Sequence, residues 1–361
     1  MIISIDSLNG PVHEISNLEI VGSFSVDGDA RYRNDLSQLK YYKGPRHNRN
    51  VYMDLNKHKH TRIQKSGENL KLDFVLKWIS ENLDRLKVDD SQNSVRRLDP
   101  EFICVRGVLK KILSTPFTNQ GWLICASKYR GTIYLCSFDT EQTKTNNMHM
   151  TDYQNDCCIW GRKFEQYLVS NTPHEDPDLS VPLNENEEFC CMFKANFGTT
   201  SLFYGAEMDG IYSQEIVQDT IVGKNVQFVE MKTLFFKKLK KGKLIEEDKK
   251  LLWWAQIYPV GIRSIICGLR TVNGIVNRVE KIDFDRSRGD IKAKEDRNKS
   301  FCSGFLEYIK EIVVEEHDRC MYKFTYNPGS LSIEVEIMKP DPRSEYTFLH
   351  RWYIQRLNQH I

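Results

Sequence analysis

The chain has 361 residues, of which 40% are hydrophobic, enough for one large domain or two ordinary ones around a sizeable core. Its formal net charge is only +2 although 28% of the residues are charged, so overall charge neither supports nor excludes a nucleic-acid partner. The sequence has no apolar run of 18 residues and no signal-peptide pattern, so we expect no membrane span and an intracellular protein.

Ten cysteines occur, and none of them forms a CxxC pair. The nine histidines do not combine with them at the spacing of zinc ligands. We therefore expect reduced thiols and no zinc site.

The N-terminal half is predicted to mix helices and strands. Residues 40–66 are basic and polar and indicate irregular surface, whereas the apolar spacing of 69–83 predicts a helix. Residues 101–113 and 121–138 are rich in β-forming residues and predict two or three strands. A helix is predicted within 158–169, after Gly161.

Further along, 172–188 is predicted to be a loop rich in proline and aspartate. Three strands are predicted to follow it, at 189–197, 201–212 and 225–236.

The C-terminal third is predicted to contain two helices and two hairpins, in the order helix 244–258, hairpin 263–279 around Asn273-Gly274, helix 304–316 and hairpin 322–338. Strands and helices alternate without a clear boundary, which favours one α/β domain over residues 1–361.

Two short stretches place charged residues inside strand-like sequence. In "YGAEMDGIY" Glu207 and Asp209 stand two positions apart, and in "QFVEMKTLFF" Glu230 and Lys232 do the same. Because side chains two apart on a strand share a face, an antiparallel pairing of these strands would bring all four groups together. Such a cluster requires either shared protons or a divalent cation.

These residues alone leave two interpretations open. Acidic residues on strands most often face solvent, and an acid two positions before a lysine is common by chance. Alternatively, the carboxylates bind Mg²⁺ or Mn²⁺, which prefer oxygen ligands, and two such ions hold the attacking and leaving oxygens of a phosphodiester. The lysine would then hold the phosphate.

The order of several motifs along the chain resembles the DXO family of RNA 5′-end decapping nucleases. The likeness extends from "GSFSVDGDARYRNDLSQLKYY" at 22–42 to "FLHRWYIQRL" at 348–357. The motifs that carry it are "VRGVLKKILSTPF" with Arg106, "WGRKFEQYL" with Glu165, "GAEMDG" with Glu207 and Asp209, "VEMKT" with Glu230 and Lys232, and "LLWWAQ" with Gln256.

The resemblance implies one α/β domain of two mixed β-sheets with flanking helices and a PD-(D/E)xK-like nuclease core. It implies a hydrolase that uses Mg²⁺ or Mn²⁺, with two ions, and acts on RNA with a 5′ phosphate, triphosphate, incomplete cap or NAD cap. Degradation of the RNA from 5′ to 3′ is also implied. Family members are mostly nuclear, so a nuclear and additionally cytoplasmic location is expected, with a larger 5′-to-3′ exoribonuclease as a partner.

The resemblance also assigns roles to individual residues. Its catalytic set comprises Glu165, Glu207, Asp209, Glu230, Lys232 and Gln256. The metal ligands would be the four carboxylates and the backbone carbonyl of Met231. The substrate contacts would be Val105, Arg106, Gly107, Cys190, Glu207, Lys232 and Gln256.

The sequence departs from the family pattern at two positions. Ala30 stands where relatives have an arginine, and Leu70 stands where they have a glutamate. Both departures bear on the preferred type of cap and not on hydrolysis. The lysine-rich stretch at 235–243 either faces water or contacts RNA or a partner.

Two other functions compete with a decapping nuclease. One is a catalytically weak protein that binds RNA ends or activates an exoribonuclease, against which the full set of carboxylates argues. The other is a DNA nuclease built on the same acid-x-lysine core.

Overall fold

The computed structural model describes residues 1–45, 50–66, 71–88, 98–236, 245–284 and 289–360. The strands in these ranges are β1 (Ile2–Ser4), β2 (Ile15–Val26), β3 (Tyr32–Arg33), β4 (Tyr41–Tyr42), β5 (Asn50–Asp54), β6 (Phe102–Val105), β7 (Trp122–Tyr129), β8 (Thr132–Phe138), β9 (Val169–Ser170), β10 (Glu188–Phe197), β11 (Thr200–Glu207), β12 (Gly210–Tyr212), β13 (Gln227–Phe235), β14 (Ser264–Arg270), β15 (Ile275–Asp283), β16 (Met321–Asn327) and β17 (Ser332–Met338). The α-helices are α1 (Asp73–Glu81), α2 (Arg106–Ser114), α3 (Glu141–Met148), α4 (Asp152–Leu168), α5 (Glu247–Ile257), α6 (Asp290–Ile312) and α7 (Arg351–His360).

The strands form two mixed sheets. The larger has the order β1-β17-β16-β7-β8-β6-β11-β10-β2-β3, with β6 parallel to both β8 and β11. The smaller has the order β5-β15-β14-β13-β12-β4-β9, with β13 parallel to β14 and β12 parallel to β4. The expected α/β fold with two mixed sheets and flanking helices is confirmed.

Apolar side chains cover both faces of the larger sheet. On β7, Ile124 and Ala126 belong to a core under α2, α5 and α6, whereas Leu123 and Cys125 belong to a core under α1 and α7. This alternation follows from the period of two in a strand. A third core joins α4 to the smaller sheet through Phe164 and its neighbours.

The prediction of strand throughout 101–113 is wrong beyond Val105. The strand β6 ends there and α2 begins at Arg106. Its buried residues Val108, Leu109 and Ile112 recur at helical spacing, one turn apart, and pack against the core.

Two predicted helices are longer than expected at their N-termini. Helix α4 begins at Asp152, where Thr151 and Gln154 form a capping box, and it ends before Val169, which lies in β9. Helix α6 begins at Asp290 and not near residue 304. The helices α1 and α5 and both C-terminal hairpins are confirmed.

The stretch 201–212 is not one strand. It enters the larger sheet as β11, leaves it at Glu207, and continues in the smaller sheet as β12 from Gly210. The crossing favours glycine at 210, because a Cβ there would lie only 3.1 Å from the Lys40 carbonyl oxygen. The expected antiparallel pairing with the next strand holds for β12, where Gly210 faces Val229.

None of the helices in the described ranges combines the length and apolar character needed to cross a bilayer.

We predict that Gly268→Ala destabilises the protein by about 1–3 kcal/mol, because overpacking forces neighbouring groups apart. A Cβ on Gly268 in β14 would lie 2.6 Å from the ring of Phe164, so α4 would have to move outward and carry Glu165 with it. Urea denaturation measures the change. Gly161→Ala is the matched control in α4, where a Cβ meets nothing within 4 Å and should stabilise the protein by about 0.5–1 kcal/mol. Equal effects of the two substitutions would contradict this packing argument.

Candidate active site

Two adjoining cavities converge where the chain crosses between the sheets. The acidic cavity, of about 930 Å³, is lined by Glu165, Glu187 and Asp209 among other residues. The basic cavity, of about 880 Å³, is lined by four cations, Lys65, Lys71, Arg106 and Lys110. Glu188 and Glu207 line both cavities, so Glu207 lies at their junction.

The predicted catalytic side chains come from elements of both sheets. Glu207 ends β11, Asp209 lies in the crossing, and Glu230 and Lys232 lie on β13. Glu165 extends from α4, which the buried Phe164 and Leu168 fix against the smaller sheet. Gln256 extends from α5. The fold therefore brings together groups separated by up to about ninety positions of sequence.

Glu230 is the centre of a buried network of charges. Its side chain is fully buried and accepts from Lys232 Nζ at 2.5 Å, from Arg106 Nη1 at 3.1 Å and from the amide of Gln256. Burial on its own would raise the pKa of Glu230, but the attraction of Lys232 and Arg106 outweighs it and lowers the pKa. Glu230 is therefore ionised and holds the two cations in place.

The other three carboxylates have the opposite shift. Burial, followed by repulsion from Glu230, raises the pKa of Asp209 to about 7. Burial and the charge of Asp209 raise the pKa of Glu165 well above its usual value, and burial with Glu188 raises the pKa of Glu207. Three acids that resist ionising together are the electrostatic signature of a cation site.

The donor chemistry of this cluster fits Mg²⁺ or Mn²⁺. Among the described residues, neither Glu165 nor Glu207 has a side-chain hydrogen bond, so their oxygens are free for a hard cation. In this side-chain conformation, no group of three or more His, Cys, Asp or Glu in the described ranges is placed to hold a metal ion. The roles of the carboxylates as metal ligands therefore stay predictions.

Two of the predicted metal ligands, Glu230 and Asp209, accept hydrogen bonds from other protein groups. The network around Glu230 occupies both of its oxygens. The backbone N–H of Met231 donates to Asp209 Oδ2 at 2.7 Å, which fixes that carboxylate over β13. The role of the Met231 carbonyl as a ligand stays a prediction.

All the predicted substrate contacts except Lys232 line the basic cavity. Val105, Arg106 and Gly107 line it at the junction of β6 and α2, together with Gln256. Cys190 also lines it and stands opposite Glu207 in the antiparallel pairing of β10 with β11. Burial raises the pKa of the Cys190 thiol, so it is suited to contact and not to nucleophilic attack.

Sequence reasoning missed Lys110 and Glu188. Lys110 stands four positions after Arg106 and therefore shares its face of α2, a signal hidden by the interpretation of 101–113 as strand. Nothing in the acidic loop before β10 distinguishes Glu188. Ala30 lines the basic cavity with φ of +60°, whereas Leu70 and residues 237–243 of the lysine-rich stretch lie outside the described residues.

Comparisons with known proteins find curated relatives over nearly the whole chain. The chain is 29% identical to the decapping and exoribonuclease protein Rai1 of Drosophila melanogaster, over 96% of this chain and 92% of that protein. It is 28% identical to the decapping and exoribonuclease protein of Homo sapiens, over 94% of this chain and 85% of that protein.

Solved structures share the fold at lower identity. Rai1 of Scheffersomyces stipitis, in complex with (3′-NADP)⁺ and calcium ion, superposes with a TM-score of 0.81 at 18% identity and covers 99% of this chain and 100% of its own. Rai1 of Candida albicans, in complex with pU5-Mn²⁺, gives 0.80 at 18% identity with the same coverage. A family model described as RAI1 like PD-(D/E)XK nuclease matches residues 18–354, so the protein belongs to this nuclease family.

Proposed function

We propose that this protein is a metal-dependent hydrolase that acts on RNA 5′ ends, removes incomplete or non-standard caps and degrades the RNA from 5′ to 3′. The observation that carries the proposal is the carboxylate cluster of Glu165, Glu207 and Asp209, which lines the acidic cavity, with Glu207 also lining the basic one. The charge of Lys232, which Glu230 holds, acts on Glu165 and Asp209. The relatives named as decapping and exoribonuclease proteins support this activity.

Glu165, Glu207 and Asp209 would hold Mg²⁺ or Mn²⁺, which supplies charge stabilisation to a phosphodiester and acidifies bound water. Glu230 holds the Lys232 ammonium at 2.5 Å. This compact cation lies beside the carboxylates, where it can bind a phosphate oxygen. The planar guanidinium of Arg106, which donates to the other carboxylate oxygen of Glu230, adds further hydrogen-bond donors for phosphate.

The basic cavity suits a nucleotide 5′ end. Its cations complement phosphates, and the half-buried ring of Phe74, which also lines it, offers a surface for a base. Relatives were solved with pU5-Mn²⁺ and with (3′-NADP)⁺, and Rai1 of S. pombe with 3′-FADP. These ligands support 5′-phosphorylated RNA and NAD caps as substrates. Unmethylated caps and 5′ triphosphates rest on the family likeness.

Three finer statements belong to the same proposal and rest on the family likeness. We propose that residues 1–361 form one decapping nuclease domain. The protein would act in the nucleus, and also in the cytoplasm, in messenger RNA turnover. It would bind a larger 5′-to-3′ exoribonuclease. Cell fractionation tests the proposed location, and co-purification from the source organism tests the proposed exoribonuclease partner.

Chelation by EDTA is expected to abolish cleavage of 5′-monophosphate RNA, and added Mn²⁺ or Mg²⁺ is expected to restore it, because the carboxylates need a cation to act together. Product sizes from RNAs with monophosphate, triphosphate, hydroxyl, unmethylated-cap and NAD 5′ ends show which bond is cut. Activity that resists EDTA would contradict the metal assignment.

Two controls separate this function from its alternatives. A single-stranded DNA of the same sequence should be cut far more slowly, and equal rates would favour a general nuclease. Binding of RNA without any product at millimolar Mn²⁺ would favour the catalytically weak end-binding protein.

A further inference from the structure

Lys110 lies at a position from which it can reach the substrate. It follows Arg106 by four residues on α2, so the two side chains lie on one face of the helix. Both line the basic cavity together with Glu207 and Gln256. Lys110 is thus part of the wall along which a nucleic-acid strand would approach the carboxylates.

Hydrogen bonds fix the orientation of Lys110 and of the amide beside it. Lys110 Nζ donates to Gln256 Oε1 at 2.9 Å, and the Gln256 amide nitrogen donates to Glu230. Because an ammonium group can only donate, the amide oxygen must face Lys110. One donor of the ammonium is used in this contact, and the other two remain for a ligand.

Lys110 differs from its two cationic neighbours in how its charge is balanced. Arg106 and Lys232 are both neutralised by Glu230. Lys110, by contrast, makes no ion pair within the described part of the chain, although it is half-buried. Burial and the nearby Lys232 lower the pKa of Lys110 to about 8, although the charge of Glu230 acts in the opposite direction. A half-buried cation without an ion-pair partner among the described residues is complementary to an anion supplied by a ligand.

We infer that Lys110 binds a phosphate group of the RNA in the basic cavity, beside the Gln256 amide, as a third substrate-binding cation after Arg106 and Lys232. The inference rests on the proposed function, since it takes RNA as the ligand. It adds a contact at a helix position that the motif residues do not include, and it explains why Gln256 is held between Lys110 and Glu230.

The test measures binding separately from cleavage. The probe is a five-nucleotide uridine RNA with a 5′ phosphate and a 3′ fluorescent label, titrated in Ca²⁺ at several NaCl concentrations, with its integrity checked on a gel. Lys110→Met is expected to weaken binding about tenfold, the loss for one charge-assisted hydrogen bond. It should also reduce the slope of log affinity against log salt by about 0.7, the value for one phosphate contact on a single strand.

The chain offers a matched control and a rescue. Lys111 is the next residue of α2, lies near Asp139, and is not among the described residues that line either cavity, so Lys111→Met should leave affinity and slope unchanged. Lys110→Arg keeps the charge and should retain the salt slope. Melting curves verify folding, and Lys110→Gln replaces Lys110→Met should the latter not fold.

Three results would overturn the inference: a Lys110→Met protein with wild-type affinity and slope, an equal loss in Lys111→Met, or a Lys110→Arg protein that binds as weakly as Lys110→Met. The proposed function fails independently. A wild-type protein that binds this RNA but never cleaves it in Mn²⁺ would contradict the function and leave the Lys110 comparison valid.

Discussion

Replacing Glu207 and Asp209 together by alanine is expected to slow RNA hydrolysis at least about a thousandfold while the protein stays folded. The two carboxylates lie at and beside the junction of the cavities, and the cation they would hold is worth several kcal/mol of transition-state stabilisation. Initial rates on 5′-monophosphate RNA at saturating Mn²⁺ measure the loss, and calorimetric titration with Mn²⁺ should show weakened binding.

The matched control removes two carboxylates at the same spacing elsewhere. Glu334 and Glu336 stand two apart on β17, exposed, and only a surface ion pair from Lys323 to Glu336 is lost on their removal. Alanine at both should leave the rate unchanged. Full activity of the Glu207 and Asp209 double variant would show that the catalytic carboxylates lie elsewhere.

The same cluster makes a prediction about stability. Because burial and Glu230 raise the pKa of Asp209 from 3.8 to about 7, the folded state holds a proton that the unfolded state releases at lower pH. Wild-type stability therefore falls as pH rises from about 4 to about 7. Asp209→Asn removes this penalty, so without metal its melting temperature should exceed that of the wild type by about a few degrees at pH 8 and match it at pH 4.

Local patterns of residues were sufficient to predict the hairpins and most helices. The hairpin of β14 and β15 has Gly274 at φ of +76° in its turn, as an Asn-Gly turn requires, and β16 and β17 alternate buried and exposed residues. The pairing of Glu230 with Lys232 also follows from their shared strand face. Such features depend on neighbours in sequence and can be predicted from them.

The crossing between the sheets could not be predicted in this way. Residues 201–212 have the composition of a single strand, and their division at Met208 depends on Lys40, a residue far away in sequence whose carbonyl oxygen adjoins Gly210. Glu207 and Asp209 therefore meet across two sheets and not on one strand face. The structure places both on the acidic cavity together with Glu165, and the geometry that does so is tertiary.

The partner of Arg106 was likewise beyond local reasoning. The side chain was expected to line the RNA path, and the structure adds an ion pair with Glu230, 124 residues further along the chain. This contact depends on the tertiary arrangement that brings the start of α2 near β13. Interpreting 101–113 as strand missed the helix face that Arg106 shares with Lys110, and gave Lys110 no role.

Replacing Glu230 by glutamine is expected to destabilise the protein by about 3–5 kcal/mol, because it leaves the buried Arg106 and the partly buried Lys232 without their counter-charge. The amide retains the shape of the carboxylate, so the effect reports charge and not packing. Urea denaturation at pH 7 measures it. Arg106→Gln in addition to Glu230→Gln should cost less than the sum of the single changes, since one unpaired cation is then removed.

The pH dependence of the stability lost in Glu230→Gln distinguishes the role of Glu230 from that of Asp209. The pKa of Glu230 is lowered below 4.5, so its stabilisation is fully present above that pH and is lost as the pH falls through the folded-state value. The difference in free energy of unfolding between wild type and Glu230→Gln should therefore be largest at pH 7, where the wild type is more stable, and should shrink towards zero in acid. For Asp209→Asn the difference has the opposite sign, with the variant more stable at high pH. Stability differences of the same sign for Glu230→Gln and Asp209→Asn would contradict this division of the site. It assigns an ionised Glu230 that pairs with Arg106 and Lys232, and a separate group of carboxylates whose pKa values are raised.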